Sequence, residues 1–111
     1  MAKGGFPMGG GANMQQIMRQ AQKMQQDIQT KQAELNASTY TASAGGGMVN
    51  VTVYGTKELA SIQIDPACVD PDDVEMLQDL IVAGVNAAIK QATETVDREM
   101  GKITGGLNMG F

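Results

Sequence analysis

The 111-residue chain predicts an α+β fold in two layers: a helix, a three-stranded antiparallel meander, then a second long helix. Three observations carry that prediction. Apolar residues recur at helical spacing up to Asn36 and again beyond Asp73, with an alternation of period two between them. A glycine triplet, Gly45-Gly46-Gly47, separates two runs rich in β-branched residues. Finally, Asp70-Pro71-Asp72-Asp73 stands directly ahead of the second helical pattern, where negative charge and a proline favour a helix start.

Residues 1–12 contain five glycines and Pro7 and are expected to form a flexible tail carrying Lys3. Asn13 is a suitable N-cap for the first helix. Met14, Ile17, Met18, Ala21, Met24, Ile28 and Leu35 follow at spacings of three, four and seven. At 100° per residue they fall within an arc of roughly 120°, the width of one buried stripe, which Gln25 and Gln32 interrupt. Arg19 and Lys23 lie one turn apart on the opposite side. Eight glutamines between Gln15 and Gln32 make the rest of the surface polar with little charge.

After Asn36 the pattern changes. Ser38 to Thr41 is rich in hydroxyl and β-branched residues, and the glycine triplet turns the chain into Met48 to Tyr54. There Val49, Val51 and Val53 alternate with Asn50 and Thr52, the period of a strand with one dry face. Gly55 to Glu58 is a second turn, and Leu59 to Asp65 a third strand with Ile62 and Ile64 directed inward. Such a meander has one apolar face and two open edges, which calls for a helix on that face.

The second helix is expected to take Asp70 as N-cap and Pro71 as its first residue, with Asp72, Asp73 and Glu75 on the positive end of the dipole. Val74, Leu77, Ile81, Val85, Ala88, Ala92 and Val96 run down one face, and Met76, Leu80, Val82 and Ile89 widen it. A helix apolar over so much of its circumference touches more than one surface. The pattern reaches about Met100, where Gly101 is a candidate interruption, and Gly105-Gly106 ends it. Residues 13–104 thus form one domain and 105–111 a second flexible tail.

Composition narrows the function. With no Trp, two Phe and two Tyr, the core is aliphatic and filled partly by methionine. One cysteine cannot form an internal disulfide and suits a reducing compartment. The N-terminus lacks the apolar core of a secretory signal, and no stretch is apolar enough to span a bilayer, so a soluble cytoplasmic protein is expected. The absence of histidine excludes Ser-His and Cys-His nucleophilic arrangements and histidine metal sites. Cys68 has no base near it in sequence and reads as a structural thiol. The glycine triplet lacks the Lys-Ser/Thr of a phosphate-binding loop. A calcium loop counted from Asp65 fails, because Ala67, Val69 and Met76 occupy ligand positions; helix capping explains the acidic cluster better. No enzyme activity, metal, cofactor or small-molecule substrate is expected.

The first helix would run about 36 Å from Asn13 to Asn36, longer than a three-stranded sheet is wide. Its stripe outruns the core that one chain supplies, and a second copy is the economical partner. Met14, Met18 and Met24 suit either ordinary core packing or an adaptable surface gripping a partner helix. Expected dimer or core residues are Met14, Ile17, Met18, Ala21, Met24, Ile28, Val51, Val53, Leu77, Ile81 and Val85. Net charge is −4, but it is uneven: residues 1–57 carry +3 and residues 58–111 carry −7. Screening acts over about 8 Å at physiological salt, so a ligand at one end of an elongated molecule feels the local field. The asymmetry is equally what two solvated helix faces would give.

The chain also resembles the YbaB/EbfC family of bacterial nucleoid-associated proteins. The residues that carry the resemblance are Gln20 to Gln25, Ala44-Gly45-Gly46-Gly47-Met48-Val49, Val51-Thr52-Val53, Ile62-Gln63-Ile64-Asp65-Pro66, Asp73 to Leu77, Asp79 to Ala83 and Met100 to Gly106. The resemblance spans the chain from about Met14 to Phe111. It implies an intertwined homodimer with projecting helical arms, located in the nucleoid. Such a dimer binds double-stranded DNA with little sequence preference, alters its shape and has no catalytic activity. Roles in nucleoid organisation, DNA protection and regulation of gene expression follow from the same resemblance. It tips the reading of the cations toward phosphate contact by Lys3, Arg19, Lys23 and Lys31. Two positions depart from the family pattern: Asn50 stands where lysine or arginine is frequent, and Tyr54 where asparagine is common. The helical cations gain weight accordingly. The competing reading is a protein-binding adaptor whose Met- and Gln-rich arms clasp another protein, with DNA associated only indirectly.

Overall fold

The computed structural model describes residues 2–104, and the side chains of residues 13–103. Its elements are α1 (Ala2–Ala37), β1 (Thr39–Ala44), β2 (Val49–Tyr54), β3 (Leu59–Ile64), a 3-10 turn (Pro66–Cys68) and α2 (Val74–Thr104). The strands form one antiparallel sheet in the order β1-β2-β3, the expected meander. β1 meets β2 in register from Thr39 opposite Tyr54 to Ala44 opposite Val49. β2 meets β3 from Val49 opposite Ile64 to Val53 opposite Leu59, with an irregularity at Thr52 and Val53.

Period-two patterning puts Val49, Val51 and Val53 on the covered face, and all three are fully buried. Tyr40, Cys68, Ala88 and Ala92 complete the core, and Leu77, Leu80, Ile81, Val85, Ile89 and Val96 pack against it from α2. Small residues at 84, 88 and 92 let α2 approach β1 and β2 closely. The helix covers those two strands and not β3. Ile62 therefore packs at the margin, while Ile64, expected inward, remains 38% exposed. Leu59 on β3, and Val74, Met76 and Val82 on α2, are exposed as well.

Glycine is required at two turns. Gly45, Gly46 and Gly47 all have positive φ, between +65° and +95°, a region that L side chains avoid. A side chain on buried Gly55 would collide with the backbone carbonyl of Leu35, so this glycine lets the β2–β3 turn dock on the end of α1.

Helix boundaries differ from expectation in three places. The helix α1 begins at Ala2, so the tail boundary expected at Asn13 is not a helix end. Asn13 cannot cap, because the N–H groups after it are already bonded within the helix. At α2 the cap is Asp73, whose Oδ1 accepts from the Met76 N–H at 3.2 Å; Asp70, the expected cap, closes the preceding turn. Pro71 sits in that turn, where its fixed φ is equally suitable. Gly101 does not interrupt α2, which continues to Thr104; one glycine weakens a helix without ending it. The tail expected over residues 105–111 lies outside the described residues.

The two helices run antiparallel where they meet: Lys31 faces Glu99, and Gln20, Lys23, Met24 and Asp27 share a shallow groove with Ile103. The portion of α1 before about Gln20 extends past the end of α2, and with the paired stretch around Lys31 and Glu99 it forms an arm. The molecule measures 90 × 25 × 15 Å.

Candidate nucleic-acid interface

A binding surface for a polyanion needs cations that solvent can reach and anions kept at a distance. Arg19 and Lys23 project from α1, are exposed, and form no ion pair with any described residue. Lys31 stands apart from them. Its side chain is 35% exposed, and its Nζ lies 3.7 Å from Glu99 Oε1 on α2. The side chain of Lys3, the fourth cation expected to touch DNA, lies outside the described residues.

Sequence reasoning overlooked Arg98 and Lys102. Both converge on Glu99 Oε2, the guanidinium Nε at 3.8 Å and the ammonium Nζ at 2.9 Å. The signal was present: the two stand four residues apart, on one face of the last turns of α2, where cations also complement the helix dipole. Glu99 is held below the ordinary glutamate range, first by the hydrogen bond from Lys102 and then by the nearby charges of Lys102, Lys31 and Arg98; partial desolvation opposes this.

The resulting charge layout is bipolar. Between Asp65 and Asp79 there are six carboxylates and no cation. Along α2, Asp73 and Glu99 are about 39 Å apart at 1.5 Å per residue, several screening lengths. Around the paired parts of the helices, Arg19, Lys23, Lys31, Arg98 and Lys102 are balanced by Asp27, Glu34, Glu94, Asp97 and Glu99. The negative net charge is thus a property of the body, whereas the start of α1, with Lys3, Arg19 and Lys23 ahead of the first anion at Asp27, is positive.

The acidic stretch is occupied with its own backbone. Asp65 Oδ1 accepts from the Ala67 N–H and Asp70 Oδ1 from the Asp72 N–H, each at 2.9 Å, beside the Asp73 cap. Among the described residues no group of three His, Cys, Asp or Glu side chains is placed to hold a metal ion. Cys68 is buried, and its thiol donates to the Asp65 carbonyl at 3.1 Å. No described helix is long and apolar enough to cross a membrane.

The expected dimer or core residues divide into two sets. Val51 and Val53 are fully buried, and Leu77, Ile81 and Val85 pack against them. On α1, Ile28 is half-buried, Ala21 is exposed, and Met14, Ile17, Met18 and Met24 are 58%, 57%, 58% and 37% exposed. Among the described residues of one chain, none covers the part of that stripe that lies beyond the end of α2.

A family model described as the YbaB/EbfC DNA-binding family matches residues 8–107. The chain is 60% identical to a nucleoid-associated protein of Clostridium novyi, over 98% of this chain and 96% of that protein. It is 57% identical to a nucleoid-associated protein of Alkaliphilus metalliredigens, again over 98% of this chain and 96% of that protein. Among solved structures, an uncharacterized protein of Helicobacter pylori shares the fold, with a TM-score of 0.64, 23% identity, and coverage of 78% of this chain and 91% of that one.

Proposed function

The chain belongs to the YbaB/EbfC family of nucleoid-associated DNA-binding proteins, which are not enzymes. On that premise we propose that it grips duplex DNA as a homodimer, through phosphate contacts from its helical arms and with little sequence preference. Arg19, Lys23 and Lys31 carry the contact, with Lys3 beside them. By holding two arms against one duplex the dimer changes its path, and so acts in nucleoid organisation, DNA protection and regulation of gene expression.

The observation that carries this reading is the separation of charge: reachable cations on the arm, and an acid-rich end tens of ångströms away. Pairing is supported by the exposed stripe of Met14, Ile17 and Met18, since a chain left alone would keep these large apolar side chains in water. Little sequence preference follows from contacts made to phosphates, which are the same at every base pair.

Three phosphates neutralised per chain, six per dimer, give log affinity a slope against log salt of at most about −5. Mobility-shift titrations across several potassium chloride concentrations measure that slope. Arg19→Glu, Lys23→Glu should retain the dimer and lose most of the shift. Binding indifferent to salt, or full binding by this variant, would sink the site assignment, and a stable monomer by solution mass would remove the duplicated grip. Should the stripe instead capture a protein while purified chain ignores DNA, the adaptor reading replaces this one.

A further inference from the structure

We propose that Glu99 is a built-in competitor of DNA phosphate: its carboxylate occupies the cations Lys31, Arg98 and Lys102 and so limits how tightly the arm holds a duplex. This rests on the DNA-binding reading above and adds Arg98 and Lys102 to its contact surface.

Three cations from two helices surround one carboxylate. Lys102 Nζ hydrogen-bonds Oε2 at 2.9 Å, while Lys31 at 3.7 Å and Arg98 at 3.8 Å stand at the outer range of an ion pair. Exposure runs the other way. The Arg98 and Lys102 side chains are 62% and 66% exposed and Lys31 35%, whereas Glu99 is 23% exposed. The anion therefore sits beneath a rim of cations that an incoming phosphate can reach. Two of its three contacts are long, and exposed pairs of this kind are weak and screened by salt, so a phosphate can displace them. The carboxylate is charged at neutral pH as any glutamate is, and the same cations lower its proton affinity further. It cannot leave, being fixed to α2, and it subtracts one unit from the three positive charges that the rim offers.

Replacing Glu99 by Gln keeps the shape, and a carbonyl oxygen that Lys102 can still reach, while removing the charge. The arm then offers one more uncompensated cation per chain. One further counterion released per chain, two per dimer, steepens the dimer's salt slope by about 1.8 and raises its affinity about sixtyfold at 0.1 M salt. Asp97→Asn is the control: Asp97 is exposed on the same helix and makes no ion pair with a described residue.

The experiment is a mobility-shift salt series on a random-sequence duplex with full-length wild type, E99Q and D97N. The proposal expects a steeper slope and tighter binding for E99Q, with D97N close to wild type. Wild-type binding with an unchanged or weaker E99Q overturns the inference and leaves the DNA-binding reading standing. An equal gain for both variants also overturns it, since overall charge would then suffice. No wild-type binding at any salt removes the DNA-binding reading and this inference with it. If circular dichroism shows that E99Q loosens the helices, Arg98→Gln, Lys102→Gln decides: its slope must be shallower than wild type, and an unchanged slope overturns the proposal.

Discussion

Replacing Gly84 by alanine sets two effects of opposite sign against each other. In a helix interior, alanine is better than glycine by about 1 kcal/mol, because the unfolded chain has less freedom to lose. At position 84, however, a Cβ would stand 2.9 Å from Val51 Cγ2, 3.6 Å from Val49 Cγ1 and 3.9 Å from Ala44 Cβ. Val51 is fully buried and β-branched, so its χ1 cannot swing clear, and α2 must lift from the sheet instead. Overpacking of this kind costs about 1–3 kcal/mol, so the variant should be less stable by roughly 1 kcal/mol net. For a chain of this size that is a fall of about 4 °C in Tm. Urea unfolding at fixed protein concentration measures it, with a double-mutant cycle against Val51→Ala as the decisive arm. Val51→Ala alone opens a cavity and should cost roughly 2–3 kcal/mol. In that background the added methyl has room, and Gly84→Ala should be neutral or stabilising. The reasoning fails if Gly84→Ala is more stable than wild type, or if the two changes are additive.

Other perturbations read separate parts of the molecule. Asp73→Ala should cost about 1 kcal/mol through loss of the bond to the Met76 N–H, and a thermal melt in which only Asp70→Ala had that effect would return the cap to Asp70. Gly101→Ala places a Cβ with nothing within 4 Å and should stabilise by about 0.5–1 kcal/mol, seen as a higher urea midpoint. Acid titration tests the Glu99 cluster. Its carboxyl lies below the ordinary glutamate value, so its contribution is full above the unfolded value of about 4.3 and is lost as pH falls through the lower folded one. Wild type should therefore lose stability more steeply than Glu99→Gln across that acid range, and superimposable melting curves would contradict this.

The order and type of the two helices and three strands could be read from residue pattern, because strand and helix periods change sharply at Asn36 and again at Asp73; the 3-10 turn at Pro66–Cys68 has no such period and was not. Boundaries were harder. Asp70 and Asp73 are both good caps, and only the backbone shows that the first closes a turn. Ile64 reads as inward by alternation, yet alternation says nothing about how many strands one helix covers. At the candidate interface, the exposure of Arg19 and Lys23 follows from their position opposite the apolar stripe. Sequence position groups Lys31 with them, yet its partner lies 68 residues away in sequence, at Glu99. Such a pairing depends on which faces of α1 and α2 meet. The same contact hid Arg98 and Lys102, which look like ordinary surface charges until the helices are laid side by side.

The carboxylates between Asp65 and Asp79 have a consequence that reaches past the single molecule. On the proposed reading the arms hold the polyanion, and the acid-rich end, tens of ångströms along α2, faces away from it with six carboxylates. A filament dressed in such molecules would keep an anionic exterior, at shorter range than bare phosphate but of the same sign. Two dressed filaments should then hold one another off, favouring a lining of single duplexes over bundles.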